Sequence, residues 1–382
     1  MNAKHLLPLF VLMLLLSGCG AKNGPDKNAL PPLETAGASH SDSHGSTPAQ
    51  NILFQDTRPD GLKITVYDDG QMILTGADVK ENLKDVNLFP DLLPGITTLR
   101  LGEGVVHVGE KAFAGFDTLQ KIIIGDSVQE IGYSAFSDCT AVTDISLGNK
   151  LITIGDYAFS GCTALKDAVI NENAEAIGSY AFSGCTALKN AAFGTKITRF
   201  GNGIFAGCTA LASLRCGSNV TDSAFMDCTT LESVVLDSTV TTLGSRAFSG
   251  CTALKNVTIP SQLAVVGTYA FADCTALQHL QIPEGCQITL GDGAFSGCTA
   301  LKIMELPEGV LQLGEKVFSD CTALEKLVIP SSVTQIGYGL LYNTPTLRTI
   351  QYRGTYAQWN TVQKANLWNE AAGTIYVSCG VT

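Results

Sequence analysis

The chain has 382 residues, 45% of them apolar and 15% charged, with a formal net charge of −11. Such a length ordinarily divides into two or three globular domains, and so acidic a balance lacks the basic footprint that a nucleic-acid phosphate backbone demands. Thirteen cysteines would suggest a disulfide framework in an exported chain, and their spacing decides whether that holds.

The first nineteen residues read as a targeting signal. Lys4 supplies a positive start, and Leu6 to Leu16 form an apolar stretch too short for a membrane span. Leu16-Ser17-Gly18-Cys19 then matches a bacterial lipobox, which makes Cys19 the expected lipid-attachment residue and mature N-terminus. The alternative is an ordinary signal peptide cleaved near Gly20. Either way the chain is exported, and with the lipid it is anchored to a membrane. Residues 20–51 are rich in Gly, Pro, Ser, Asn and Asp, a composition that cannot bury a core and reads as a disordered tether. His40 and His44 lie in it without further ligands to complete a metal shell. In the next segment, Asp68-Asp69 precede Gly70 and read as a hairpin turn.

From residue 101 to 353 one phrase recurs, clearest as LGSRAFSGCTALKNVTIP from Leu243 to Pro260. Phe113, Phe136, Phe159, Phe182, Phe205, Phe225, Phe248, Phe271, Phe295 and Phe318 mark the period, and Leu341 takes the slot in a last turn. Steps of 23 residues dominate, with one of 20 from Phe205 to Phe225 and one of 24 from Phe271 to Phe295. A fixed period means a solenoid whose coils bury their apolar faces against one another. Val257 and Ile259 alternate with Thr258, the period of a short strand with one buried face, and Pro260 ends it. Leu263, Val265 and Val266 form a second apolar patch before Gly267. A glycine stands four residues before the Phe slot in ten of the eleven turns, which predicts a bend with a positive backbone angle. The exception, Thr221, lies in the shortened turn, which is expected to lack its second strand and to be a weak point. Residues 269–274 have room for only a short helical or 3₁₀ turn.

This phrase, IGxxAFxGCTAL followed by a VxIP strand, resembles the BspA-type leucine-rich repeats of bacterial surface proteins. The resemblance implies a leucine-rich-repeat-like, right-handed solenoid of about eleven turns. It also covers both flanks: Ile64 to Gly76 is similar to the β segment that precedes such arrays, and Gln358-Trp359 with Trp368 and Val377 to Gly380 to their usual ending. Terminal coils need a cover for their open apolar face, so 52–100 and 354–382 are assigned as caps. Adhesion to host matrix proteins or other cells, at the cell surface, is what the resemblance implies for function.

Nine cysteines occupy one repeat slot: Cys139, Cys162, Cys185, Cys208, Cys228, Cys251, Cys274, Cys298 and Cys321. Equivalent residues on adjacent coils stand about 5 Å apart with parallel Cα–Cβ bonds, too far for an unstrained bridge. A ladder of buried thiols is expected instead, with Cys216 and Cys286 also in the core and Cys379 in the end cap. No CxxC or Cys/His pairing suggests zinc.

Catalysis finds no support. His107 and His279 stand seven turns apart and belong to no nucleophile or metal motif, and neither a cofactor nor a phosphate loop is indicated. What remains is a long regular surface on an expected monomer. The outward strand row, Ile123, Ser146, Val169, Ala192, Arg215, Val235, Thr258, Gln281, Glu305, Val328 and Gln351, carries no aromatic residue. Just after the repeat leucine runs a partly basic row, Lys166, Lys189, Lys255, Lys302 and Arg348, which is the candidate ligand-binding stripe, interrupted by Glu232 and Glu325. The reading is a lipid-anchored binding protein that engages extracellular or envelope proteins through its array. The alternative is an envelope scaffold without an external ligand.

Overall fold

Each repeat closes one coil that carries two short strands, and the coils stack so that like strands pair in parallel. The structure, a computed structural model, describes residues 50–80, 83, 93–193, 196–370 and 375–380. The signal segment, with Cys19, and the tether as far as residue 49, with His40 and His44, lie outside these described residues. The array is a β-solenoid of about 13 turns at ~23 residues per turn. It exceeds the eleven Phe-slot turns because flanking strands continue the coil at both ends.

At the N-terminal end, β1 (Ile52–Thr57), β2 (Lys63–Tyr67) and β3 (Gln71–Thr75) form an antiparallel meander, and β3 pairs in parallel with β4 (Thr98–Leu101). The turn between β2 and β3 is Asp68-Asp69-Gly70, with Gly70 at φ +81°. From β4 onward the register steps by one repeat, as in Thr98 opposite Lys121 and Lys121 opposite Asp144. At the C-terminal end, the strand Thr349–Tyr352 pairs with Tyr376–Cys379. The helix α1 (Tyr356–Thr361) lies between them, opened by a capping box of Thr355 and Gln358. Its Trp359 is buried, packs at 5.1 Å on Tyr352 and at 6.1 Å on Trp368, and carries the Lys364 ammonium 4.2 Å over its ring. The aromatic cluster of this end therefore seals the stack rather than facing outward.

The core is built of columns. Ten phenylalanine rings from Phe113 to Phe318 stack with centroids 5.2–5.8 Å apart and planes within 15° of parallel. The cysteine column runs beside them. Every ladder thiol donates to the carbonyl of a phenylalanine on the preceding coil, as Cys139 does to Phe113 O at 3.1 Å and Cys321 to Phe295 O at 3.2 Å. All twelve described cysteines are free thiols, and only Cys379 is not buried. Burial pushes the ladder thiols from Cys162 to Cys321 upward in pKa, to about 12 for Cys185, Cys228 and Cys321.

Two local expectations are corrected. The repeat glycines do not sit at positive φ; they are required because the preceding coil lies too close for a side chain. A Cβ on Gly201 would fall 2.2 Å from Ser179 N, and one on Gly267 would fall 2.6 Å from Gly244 C. The left-handed residues come two positions later, at Lys111, Ser134, Tyr157, Tyr180, Gly203 and their counterparts, and again two after the Phe slot, as at Asp273. These reversals also explain why 269–274 is not helical. Tyr269, Phe271 and Asp273 donate their N–H groups to the next coil, at Asp292, Ala294 and Ser296, while only the alternate amides of Ala270, Ala272 and Cys274 bond within the turn.

The shortened turn interrupts the second sheet. That sheet runs from His107–Val108 to Arg199–Phe200, stops, and resumes from Thr242–Leu243 to Gln363–Lys364, with a single isolated bridge from Val220 to Leu243 between the two stretches. Thr221 fits where glycine stands elsewhere, and its hydroxyl donates to Gly201 O at 2.8 Å. Missing chain leaves an apolar cavity of about 40 Å³ among Phe193, Ile204, Phe205, Val220 and Phe225.

Candidate binding surface

The strand face is the longest regular surface of the molecule. Its outward row is exposed or half-exposed as the alternation predicts, with one correction: Val328 is 2% exposed. It stands in register between Glu305 and Gln351, on the same strand as Lys326, and these long side chains cover it. Ion pairs tile this face. Arg215 clasps both carboxylate oxygens of Asp237 at 2.8 and 3.1 Å. Lys326 meets Glu305 at 2.8 Å, and Arg353 reaches Glu284 at 2.9 Å across three coils. The hydrogen bond from Lys326, aided by its charge, holds the Glu305 carboxyl below the usual carboxylate range despite the opposing effect of desolvation.

Lys166, Lys189, Lys255, Lys302 and Arg348 are all exposed along one edge of this face. Only the first two stand on consecutive coils, where Lys189 N donates to Lys166 O at 2.9 Å. Lys255 lies beyond Ala212 and Glu232 and pairs with Glu232 at 3.5 Å. Lys302 follows Gln278, and Arg348 follows Glu325 and turns its guanidinium to the carbonyls of Pro345 and Leu347. The stripe is thus one lysine pair followed by spaced, partly neutralised cations.

His107 is oriented by Asp78, with Nδ1 and Oδ2 3.0 Å apart, while Asp78 Oδ1 accepts the Val106 and His107 N–H groups at 2.9 and 2.8 Å. Burial opposes the Asp78 charge, and these hydrogen bonds outweigh it and lower its pKa. The pair ties β5, the strand His107–Val108, to the segment that follows the meander. Among the described residues no three His, Cys, Asp or Glu side chains are grouped to hold a metal.

A second exposed row was not anticipated from the strand pattern. Tyr133, Tyr157 and Tyr180 follow the repeat glycine on three consecutive coils and contact one another. The signal is visible in the sequence, where each tyrosine stands one or two residues after Gly132, Gly155 or Gly178.

The BspA-type leucine-rich repeat region, as a family model, matches residues 87–212 and 218–352 in six copies, well over half of the chain. The chain belongs to the BspA-type leucine-rich repeat proteins. This family is consistent with protein–protein interaction. Among solved structures, this BspA-type chain is similar to a leucine rich cell surface protein from Faecalibacterium prausnitzii, at 20% identity over 83% of this chain and 98% of that one, with a TM-score of 0.43. It is also similar to the pneumococcal vaccine antigen PcpA, at 14% identity over 84% of this chain and 98% of that one, TM-score 0.42. A third is the T. pallidum leucine rich repeat protein TpLRR, at 27% identity over 55% of this chain and 91% of that one, TM-score 0.39. No curated protein matches the BspA-type chain.

Proposed function

We propose that this BspA-type protein is an exported, lipid-anchored surface protein that binds other proteins through its repeat array and carries out no chemistry. The observation that supports this reading most directly is the long series of outward strand residues, exposed or half-exposed at every coil but that of Val328, a surface suited to an extended macromolecular partner and not to a small molecule. Cys19 is the proposed lipid-attachment residue, resting on the lipobox. Mass spectrometry of the mature N-terminus checks it, and Cys19→Ala is expected to release the protein from membranes.

The Lys166–Lys189 pair, extended by Lys255, Lys302 and Arg348, is the proposed contact edge for an acidic partner. The test is binding of the immobilised protein to matrix proteins, mucins and glycans at physiological salt, beside a Lys166→Glu, Lys189→Glu, Lys255→Glu variant. Saturable binding that weakens and loses its salt dependence in the variant supports adhesion through this edge. Silence across the panel moves the reading to an envelope scaffold, which crosslinking in the native cell then addresses.

A further inference from the structure

We propose that the tyrosine strip formed by exposed Tyr133 and Tyr157 and half-buried Tyr180 receives lysine and arginine side chains of a basic polypeptide. This surface lies on a different corner of the coil from the lysine edge and is independent of it.

Three observations carry the proposal. The first is the strip itself. Tyr133 and Tyr157 are 45% and 37% exposed, their rings meet edge to face at 5.7 Å, and Tyr157 stacks on Tyr180 at 5.2 Å. The strip ends where the Tyr180 ring lies flat over Gly203, whose Cβ would fall 2.3 Å from that ring.

The second is the backbone. Tyr157 and Tyr180 hold φ of 58° and 57°, a left-handed conformation that a bulky aromatic residue adopts only with strain. Gly203, Gly293 and Gly339 occupy the same position in other coils at φ of 60–61° without that strain. Lys111, Ser134, Ser223, Arg246, Tyr269 and Lys316 hold the same position at φ of 50–56°, so the turn admits many side chains and does not itself select two successive tyrosines.

The third observation is that this corner already holds cations against tyrosine. The Lys111 ammonium, on the coil before Tyr133, lies 5.6 Å from the Tyr133 ring centre, and Arg246 lies 6.0 Å from that of Tyr269 on the next coil. Tyr157 and Tyr180 have Ser134 and Tyr157 at the corresponding place on the preceding coil, and among the described residues no cation lies over either ring. Nearby charge leans acidic, with Glu110, Glu130 and Asp156 against Lys111 and, one coil beyond Tyr180, Arg199. Lys111 is itself shared with Glu110 at 3.2 Å. A cation over an exposed aromatic face gains modestly per contact, and the formal charge of −11 draws basic partners from a distance. Because Tyr157 and Tyr180 occupy one another's faces, the strip offers partial faces to a cation and no broad platform for a sugar ring.

The test is the dissociation constant of the purified full chain for a fluorescent lysine-rich peptide, with the same peptide fully acetylated as the neutral control. The variant Tyr133→Ser, Tyr157→Gly, Tyr180→Gly keeps the net charge and places in the turn residues that sister coils use. Tyr157→Asn with Tyr180→Asn serves as a second variant, since asparagine tolerates the left-handed region. The expected results are an about tenfold weaker dissociation constant in the variant, no binding of the acetylated peptide, and about threefold tighter binding in Lys111→Ala, which removes the internal cation. A variant constant within twofold of wild type would mean that net charge alone drives binding, and the proposal would be overturned. It would be overturned equally if the strip bound neutral glycans and not the cationic peptide.

Discussion

Raising the pH from 8 to 9.5 is expected to strip the protein of a large part of its stability, because the cysteine column must stay protonated to remain buried. The ordinary thiol value is 9.0, and Cys185, Cys228 and Cys321 are raised to about 12 in the folded chain. The stabilisation is therefore fully present below pH 9 and is lost as the pH climbs from 9 toward 12, since the unfolded chain releases protons that the folded chain keeps. At pH 9.5 linkage assigns roughly 1 kcal/mol to each such thiol, or roughly 2–3 kcal/mol for these three. The buried thiols of Cys162, Cys208, Cys251, Cys274 and Cys298 act in the same direction. Against a total stability of about 5–15 kcal/mol, the loss is large enough to measure. Urea unfolding followed by circular dichroism at pH 7, 8, 9 and 9.5, with oxidation prevented, measures it. A variant with Cys185, Cys228 and Cys321 changed to Ala shows a shallower slope. A midpoint that does not move between pH 8 and 9.5, or thiolate absorbance from the folded protein in that window, would refute the reasoning.

Phe182→Ala is expected to cost about 3–5 kcal/mol, because the ring is fully buried between Phe159 at 5.3 Å and Phe205 at 5.8 Å. The damage should fray neighbouring coils first, and hydrogen-exchange protection lowered uniformly along the array would contradict that. Gly267→Ala places a methyl 2.6 Å from the preceding backbone and is expected to cost about 1–3 kcal/mol, read as a lowered melting temperature. In the unaltered chain, amides of 217–221 are expected to exchange faster than those of 240–244, since the second sheet is interrupted there. A thiol count on denatured protein, purified with oxidation prevented, is expected to find the nine ladder cysteines free.

The phenylalanine spacing alone made the stack legible, since a side chain recurring at a fixed step has one simple home, a column shared with its copies. The missing strand was legible for the same reason: Thr221 sits where a segment has been deleted. The glycines misled because two different demands, positive φ and absence of a Cβ, select the same residue. Gly201 and Gly267 answer the second. The true left-handed positions were hidden because lysine, serine, tyrosine and arginine occupy them in different coils, so no residue type marks them. The helix expectation failed on a similar point, as the residues of 269–274 suit a helix locally while alternate amides are claimed by the next coil. On the surface, the interruptions at Ala212, Glu232, Gln278 and Glu325 announced that the lysine edge would be broken. The tyrosine strip escaped notice because it belongs to the turn and not to the strand, the element that alternation singles out.

The hydrogen bond from each ladder thiol points backward, toward a carbonyl of the coil made before it. A growing chain emerges N-terminus first, so every ladder thiol meets an acceptor already in place, while the alternate turn amides wait for the carbonyls of the coil made next. Assembly can thus proceed as templated addition in one direction, and it requires neither an oxidant nor an isomerase to sort nine equivalent cysteines.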